Sequence, residues 1–243
     1  MPLKVDRVSQ HAFLASPLSS DSIVFDLGAN NGEFCLEVAR KYGCRVFAAE
    51  PVPQLANNLE NKDPRVAVYP VAIGGSNGTA NLVYDLGRDK TGSLLGLNVV
   101  GGILHDPGAR ESLEVKVQSL EGFLSHATSD TIDLLKVDIE GAELDAFSEV
   151  PNSVLARCKQ ITVEFHDFWY PELAERTEQV KRKIKAAGFL MIRFTPNNKD
   201  VLFLNRQLLP LGALRTFVLR HLTRNMMGLS RMYRLYRRRI LRT

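Results

Sequence analysis

Two carboxylates stand where a nucleoside-bearing ligand would need them. Asp26 ends one short apolar run, and Glu50 ends the next, 22 residues after Gly28. The stretch DLGANNGEF begins at Asp26 and turns at Gly28, where a bare backbone lets a ligand approach closely. A helix starting near Gly32 and Glu33 would present its N-terminal amides and dipole to an anionic group. A carboxylate at the tip of the second strand, as Glu50 is, suits two ribose hydroxyls. A dinucleotide site would read GxGxxG. Here Ala29, Asn30 and Asn31 separate Gly28 from Gly32, and an acid precedes the turn. That acid would repel a pyrophosphate, but it suits the ammonium and sulfonium end of S-adenosylmethionine. Taken singly, Asp26 reads equally as a turn-capping residue and Glu50 as a solvated strand-end acid. Their place at adjacent strand ends favours the cofactor reading.

A second group of chemical residues lies in LLKVDIEGAEL, residues 134–144, and in EFH, residues 164–166. In an open α/β sheet the carboxyl ends of the strands face the ligand cleft. Asp138, Glu140 and Glu143 then fall near one wall, and Glu164 and His166 near the other. Glu164 and His166 are two apart, so on an extended strand they share a face. If a hydroxyl is the acceptor, a base must take its proton. His166 is the first choice and Asp138 the next, with Glu164 beside them. The plain alternative is a strand-end histidine that only hydrogen-bonds its surroundings. The acids also suit a divalent cation, and oxygen ligands suit magnesium. No spacing demands one, Glu143 and Glu140 read equally as helix and turn residues, and no residue is assigned as a metal ligand. Ser93, in Thr91–Gly92–Ser93, is a candidate for the acceptor pocket alongside Glu140 and Glu143, or else part of a surface turn.

The elements that must carry these residues alternate. Residues 22–50 read as strand, turn, helix, strand; Pro51 and Pro53 open a helix to about residue 61, and 66–73 is a third strand. This is the pattern of an open parallel α/β sheet. Between 74 and 117 the pattern changes to short antiparallel segments, 79–84 and 113–117, flanking a long loop at 88–108. Strands at 132–139 and 160–165 follow, with a short helix at 143–149 between them. A helix over 171–187 stops at Gly188, and 189–194 with 201–205 forms a closing hairpin.

The chain has 243 residues, 45% of them apolar and 24% charged. That composition excludes a collagen-like or largely disordered protein, and no apolar run reaches the roughly 18–20 residues of a membrane span. The N-terminus lacks the apolar core of a secretory signal. Cys35, Cys44 and Cys158 are odd in number and show no CxxC spacing, which fits packing roles and a reducing cytoplasm. Residues 210–243 hold nine arginines and no acid, leaving a net −5 on the rest of the formal +4. The body, 1–209, is therefore mildly acidic, which argues against a nucleic-acid-binding body. Leu211, Leu214, Phe217, Val218 and Leu222 fall on one helical stripe of the extension, with arginines across from it. Such basic amphipathic segments lie on anionic membrane surfaces; the bland reading is a helix packed on the body or on a second subunit.

DLGANNG, EPVPQ after the second strand, VAIG at 71–74 and DIEGAE in this order resemble the FkbM family of S-adenosylmethionine-dependent methyltransferases, over about residues 22–206. The resemblance implies a class I methyltransferase fold, an α/β Rossmann-like sheet of seven mostly parallel strands in the order 3-2-1-4-5-7-6, the seventh antiparallel, with helices on both faces. It implies that Asp26, Gly28, Asn30, Gly32 and Glu33 surround the methionine part of the cofactor, Glu50 the ribose, and Val71 with Ala72 the adenine. Asp138 would serve both the cofactor and the chemistry. The expected reaction is methyl transfer to a hydroxyl of a sugar, glycan or secondary metabolite. Two rivals are a nucleotide-dependent oxidoreductase, against which the missing GxGxxG counts, and a non-catalytic cofactor-binding adaptor recruited to membrane or partner by the basic extension.

Overall fold

The structure, a computed structural model, describes residues 4–84, 97–98, 111–167, 170–195 and 197–219. The chain opens with a hairpin, β1 (Val5–Val8) and β2 (His11–Leu14), that pairs Val8 with His11 around a turn containing Ser9 in the left-handed region. Then β3 (Ile23–Leu27), α1 (Glu33–Tyr42), β4 (Arg45–Ala49), α2 (Pro53–Leu59) and β5 (Val66–Tyr69) run in strict alternation. Pro53 occupies the first turn of α2, where its missing N–H costs nothing.

The sequence reads residues 66–73 as one strand, but the chain divides it. Val71 N donates to Tyr69 O at 2.9 Å across Pro70, a three-residue turn that ends β5. Beyond it β6 (Ala72–Gly74) joins a different sheet. That second sheet also holds β7 (Gly78–Tyr84), β8 (Leu97–Asn98) and β9 (Glu111–Ser119), in the order β6-β9-β7-β8. β7 and β9 form the expected antiparallel ribbon. Of the 88–108 loop, only the pair 97–98 is described, as a short strand on β7; Ser93 lies outside the described residues.

After α3 (Leu120–Leu124) the main sheet resumes with β10 (Leu134–Val137), α4 (Glu143–Glu149), α5 (Asn152–Leu155) and β11 (Gln160–Val163). A short 3-10 turn, Pro171–Leu173, leads into α6 (Ala174–Ala186), and β12 (Phe189–Arg193) and β13 (Val201–Asn205) close the sheet. The strand order is β12-β13-β11-β10-β3-β4-β5, with only β13 antiparallel to its neighbours. This is the order 3-2-1-4-5-7-6 read from the other edge, as the resemblance implies.

Strand periodicity divides the core in two. Ile23, Phe25 and Leu27 of β3 and Leu135 and Val137 of β10 join one cluster, packed by Phe123 of α3, Phe147 of α4 and Ile184 of α6. Val24, Val46 and Leu134 face the other side, covered by Phe34 and Val38 of α1 and by Phe13 and Leu14 of the hairpin. Cys35, Cys44 and Cys158 are free and buried, and burial pushes the Cys158 thiol up to about 12. The extension begins on this second face. Leu209 and Leu211 pack against it and Leu219 is buried in it, while Leu214 and Phe217 of α7 (Ala213–Phe217) are exposed. Residues 220–243 lie outside those described. No described helix is long and apolar enough to cross a membrane.

Side chains reaching from the sheet clasp the hairpin: Asp200 accepts from Ala12 N at 3.1 Å, and Gln160 holds Leu14. Gln160 of β11, fully buried, accepts from Leu14 N at 2.8 Å and donates to Leu14 O at 2.9 Å. Gln160→Leu leaves that N–H and carbonyl buried without partners, each worth roughly 1–3 kcal/mol. Urea denaturation is expected to read a loss of about 2–4 kcal/mol.

Candidate active site

The carboxyl ends of β3, β4 and β10 open onto a narrow crevice, in the place where open α/β sheets bind ligands. One wall is Gly28 and Asn30 from the turn after β3. The next is Ala49, Glu50 and Pro51 after β4, and Val71, Ala72 and Ile73 form an apolar side around the sheet switch. Asp138, Ile139 and Glu140, after β10, complete it.

The turn is shaped by contacts that admit no side chain at Gly28. Its φ is +78°, and a Cβ there would come within 1.9 Å of Asp138 O. Gly28 N and Ala29 N both donate to Ala49 O at 3.0 Å, which ties the turn to β4. Glu50 is fully buried. Its Oε2 accepts from Asn30 N at 2.7 Å and its Oε1 from Val52 N at 3.0 Å. Burial raises its pKa, and those two amides pull the other way. Each oxygen keeps a lone pair for a ligand.

Asp26 departs from the expectation. It is fully buried and absent from the crevice lining. It pairs instead with Lys136, its register partner on β10, at 2.9 Å. Lys136 Nζ also donates to Leu27 O at 3.1 Å and Gly28 O at 2.7 Å, and lies 3.9 Å from Asp138. Burial would lower the Lys136 pKa, but Asp26 and Asp138 outweigh it and the net shift is upward. The carboxylate assigned to the sulfonium therefore balances a buried ammonium. Gly32 and Glu33 are also off the crevice. Gly32 is glycine because a Cβ would meet Leu59 Cδ2 at 2.2 Å, and Glu33 is exposed beside Ser9 Oγ at 3.2 Å.

Past Asp138 the acids and histidines converge. Glu143, assigned to the acceptor from sequence, is buried and shapes the turn. Its Oε1 accepts from Ile139 N at 2.9 Å and its Oε2 from Gly141 N at 3.0 Å. His166 lies between two glutamates, with Nδ1 3.1 Å from Glu143 Oε1 and Nε2 3.2 Å from Glu140 Oε2. Burial pulls its pKa down, but Glu143 and Glu140 outweigh this and hold it well above 6.5. The two glutamates thus favour the imidazolium form of His166, the first-choice base, in which neither nitrogen has a lone pair to offer. Asp138 is held well below the usual carboxylate range: burial opposes this, but Lys136 and His11 overcome it. Glu164 sits behind the crevice lining, 3.4 Å from Lys199, with its pKa raised by burial and by Asp138.

Two residues that matter here escape the sequence reading. Lys136 carries a signal, since a lysine inside the apolar run LLKV of a central strand needs a buried partner. His11 carries none; it arrives from the hairpin, with Nε2 3.3 Å from Asp138 Oδ2. His11, Asp138 and Glu164, and separately Asp138, Glu140 and His166, each gather three potential ligand atoms within 4.8 Å. The set mixes nitrogen with oxygen and already holds two lysine ammoniums, which fits magnesium poorly.

A family profile described as the methyltransferase FkbM domain matches residues 26–191. Among curated relatives, the AMB antimetabolite synthetase AmbE of Pseudomonas aeruginosa is 27% identical over 204 residues, covering 71% of this chain and 10% of that protein. The chain thus spans about a tenth of that relative. The 31-O-demethyl-FK506 methyltransferase FkbM of Streptomyces tacrolimicus is 26% identical over 231 residues, covering 82% of this chain and 83% of that one. The crystal structure of methyltransferase FkbM from Methylobacillus flagellatus KT aligns at 15% identity and a TM-score of 0.48, covering 77% of this chain and 44% of that one.

Lys136→Met leaves Asp26 buried without a counter-charge, and chemical denaturation is expected to show a loss of about 3–5 kcal/mol. For His166, a pKa raised by folding adds stability that is complete below about pH 6.5 and fades as the pH climbs through the folded value. The stability gap between wild type and His166→Gln, measured in urea at pH 6 and pH 9, should narrow at the higher pH.

Proposed function

The chain belongs to the FkbM methyltransferase family, and on that premise we propose that it transfers a methyl group from S-adenosylmethionine to a hydroxyl of a sugar, glycan or secondary metabolite. The observation that carries the reading is a single crevice with Glu50 at one end and Asp138 with Glu140 at the other. The donor set fits such a cofactor: two free lone pairs on a buried carboxylate for a ribose diol, an apolar side at Val71, Ala72 and Ile73 for adenine, and acids for the cationic methionine end. The name of the Streptomyces relative specifies an O-demethyl acceptor, which supports oxygen over nitrogen.

When bound, S-adenosylmethionine supplies an activated methyl. The chain's own work is alignment, which can contribute roughly 7–11 kcal/mol. Gly28 and Asn30 fix the turn, Glu50 orients the ribose, and Asp138 and Glu140 put negative charge where the acceptor must enter. His166, 3.2 Å from Glu140 Oε2, sets the position of that carboxylate. No step assigned to these residues needs a metal ion.

We propose also that the arginine-rich extension rests on anionic lipid. Leu214 is 76% and Phe217 56% exposed, directly ahead of eight of the nine arginines. Basic residues near such a surface contribute about 1 kcal/mol each. The full chain should sediment with phosphatidylserine vesicles more than with phosphatidylcholine ones, and Phe217→Glu should reduce the difference; equal pelleting would remove this part of the reading.

Calorimetry with S-adenosylhomocysteine tests the donor. Binding is expected for the wild type, with Glu50→Gln weakening it about 10- to 100-fold, as for a lost hydrogen bond to a charged group. The absence of heat in the wild type would overturn the assignment. The acceptor class is tested by S-adenosylhomocysteine release over a panel of hydroxyl-bearing sugars, glycans and polyketides, with amines as the contrast.

A further inference from the structure

Three carboxylates line the crevice, those of Glu50, Asp138 and Glu140, and no other residue of its lining titrates. They differ in what already engages them. Glu50 gives one oxygen to Asn30 N and the other to Val52 N, at the ribose end. Burial pushes the Asp138 pKa up, but Lys136 at 3.9 Å and His11 at 3.3 Å overcome it and hold it well below the usual carboxylate range. A carboxylate so firmly kept ionised is a poor proton acceptor and a good seat for a cation. Glu140 is held at one oxygen only. Its Oε2 lies 3.2 Å from His166 Nε2, and among the described residues nothing donates to its Oε1. The side chain is 24% exposed and lines the crevice, whereas His166 and Glu164, at 6% and 8%, do not.

The turn that presents Glu140 is strained. Its φ is +54°, in the left-handed region that residues with a side chain rarely adopt, and Gly141 follows at +104°. Glu143 clamps both sides of it, accepting from Ile139 N and from Gly141 N, and its Oε1 also faces His166 Nδ1 at 3.1 Å. One buried carboxylate thus fixes the backbone around residue 140 and the ring that meets its side chain. Strain persists only where the surroundings enforce it, and it gathers at functional positions. The charged groups facing Glu140 are His166, Asp138 and Glu143. Beyond them stand Lys136 and His11 beside Asp138, and Lys199 beside Glu164. Burial raises the Glu140 pKa, His166 opposes, and Asp138 with Glu143 adds to the rise, so the net shift is upward.

We propose that Glu140 is the base of the reaction, its Oε1 taking the proton of the acceptor hydroxyl while His166 holds Oε2. The inference rests on the methyl-transfer reading above, which puts the ribose at Glu50 and hence the reacting end of the donor toward Asp138 and Glu140. Asp138 then serves the cationic donor, and Glu140 serves the acceptor. In the step assigned, the acceptor O–H bond breaks and its proton passes to Oε1. The oxygen's electron pair forms the new O–C bond, and the pair of the breaking C–S bond stays on sulfur, which leaves as a neutral thioether. Glu140 becomes a neutral carboxylic acid and returns its proton to solvent. His166 is a positioning residue in this scheme.

The test begins with carbon-13 carboxyl spectra of the full chain, with and without S-adenosylhomocysteine. The Glu140 signal is assigned by its loss in Glu140→Gln, or in Glu140→Asp if the first variant does not fold. Glu140 should titrate above the ordinary glutamate value, and higher still in His166→Gln, which removes a facing cation. With the panel compound that is methylated fastest, Glu140→Gln should lower kcat by about 100-fold or more, while S-adenosylhomocysteine affinity stays within about threefold. A Glu140 that titrates at or below the ordinary value, a kcat within about threefold of wild type, or a loss confined to KM would overturn the proposal. An affinity loss of about tenfold or more would place Glu140 on the donor and overturn it as well. So would manganese or magnesium added to chelator-treated protein if it shifted the Glu140 signal and raised turnover, because Asp138, Glu140 and His166 would then be a cation site. The spectra need no acceptor. A wild type that fails to bind S-adenosylhomocysteine therefore counts against methyl transfer, while an unshifted titration counts against Glu140 alone.

Discussion

The Lys136 ammonium holds the site in shape. It is buried between Asp26, its partner across the β3–β10 pair, and the carbonyls of Leu27 and Gly28, with Asp138 just beyond. A buried charge costs several kcal/mol to desolvate and is tolerated only with close partners; here every direction it can donate in is used. The consequence is geometric. The turn after β3 is drawn onto the end of β10 so tightly that position 28 has no room for a Cβ. The crevice wall and the acidic cluster are thereby fixed relative to each other before any ligand arrives.

Acids exceed lysines in the cluster. Among the described residues, Lys136 pairs with Asp26 and lies near Asp138, Lys199 pairs with Glu164, and Glu140 and Glu143 both face His166, whose protonated form they favour. His166 braces the DIEG turn through Glu143 and Glu140. His11 meets Asp138 through Nε2, and its buried Nδ1 has no partner among the described residues. Two rings of the same chemical type thus differ in the number of acids that their nitrogens meet.

Most of the main sheet was legible because alternation and turn chemistry are local. Arg45–Ala49, Glu143–Glu149 and Val201–Asn205 fall where the apolar runs and caps put them. Gly28, Asn30, Glu50, Val71, Ala72, Asp138 and Glu140 meet in one crevice, because residues at strand tips are brought together by topology alone. What local pattern could not supply was pairing across the chain. Asp26 has the type and place of a ligand-facing acid, and only the opposing lysine on β10 reveals its use. Glu143 reads in sequence as an acceptor residue or a helix residue, and the backbone amides of Ile139 and Gly141 take both its oxygens. His11 lies 127 residues from its partner, in a hairpin with no motif of its own. The break at Pro70 was hidden because the apolar pattern continues through it while the chain changes sheets.

That change of sheets has a mechanical result. Val71, Ala72 and Ile73 belong to the crevice, yet β6 is laced to β9 and, through it, to the ribbon that reaches β8. The apolar side of the crevice is therefore built into the second sheet, which meets the main one at the Pro70 turn. The placement of Val71, Ala72 and Ile73 thus depends on the pairing of β6 with β9, residues 111–119, far along the chain from the β3 turn that they face.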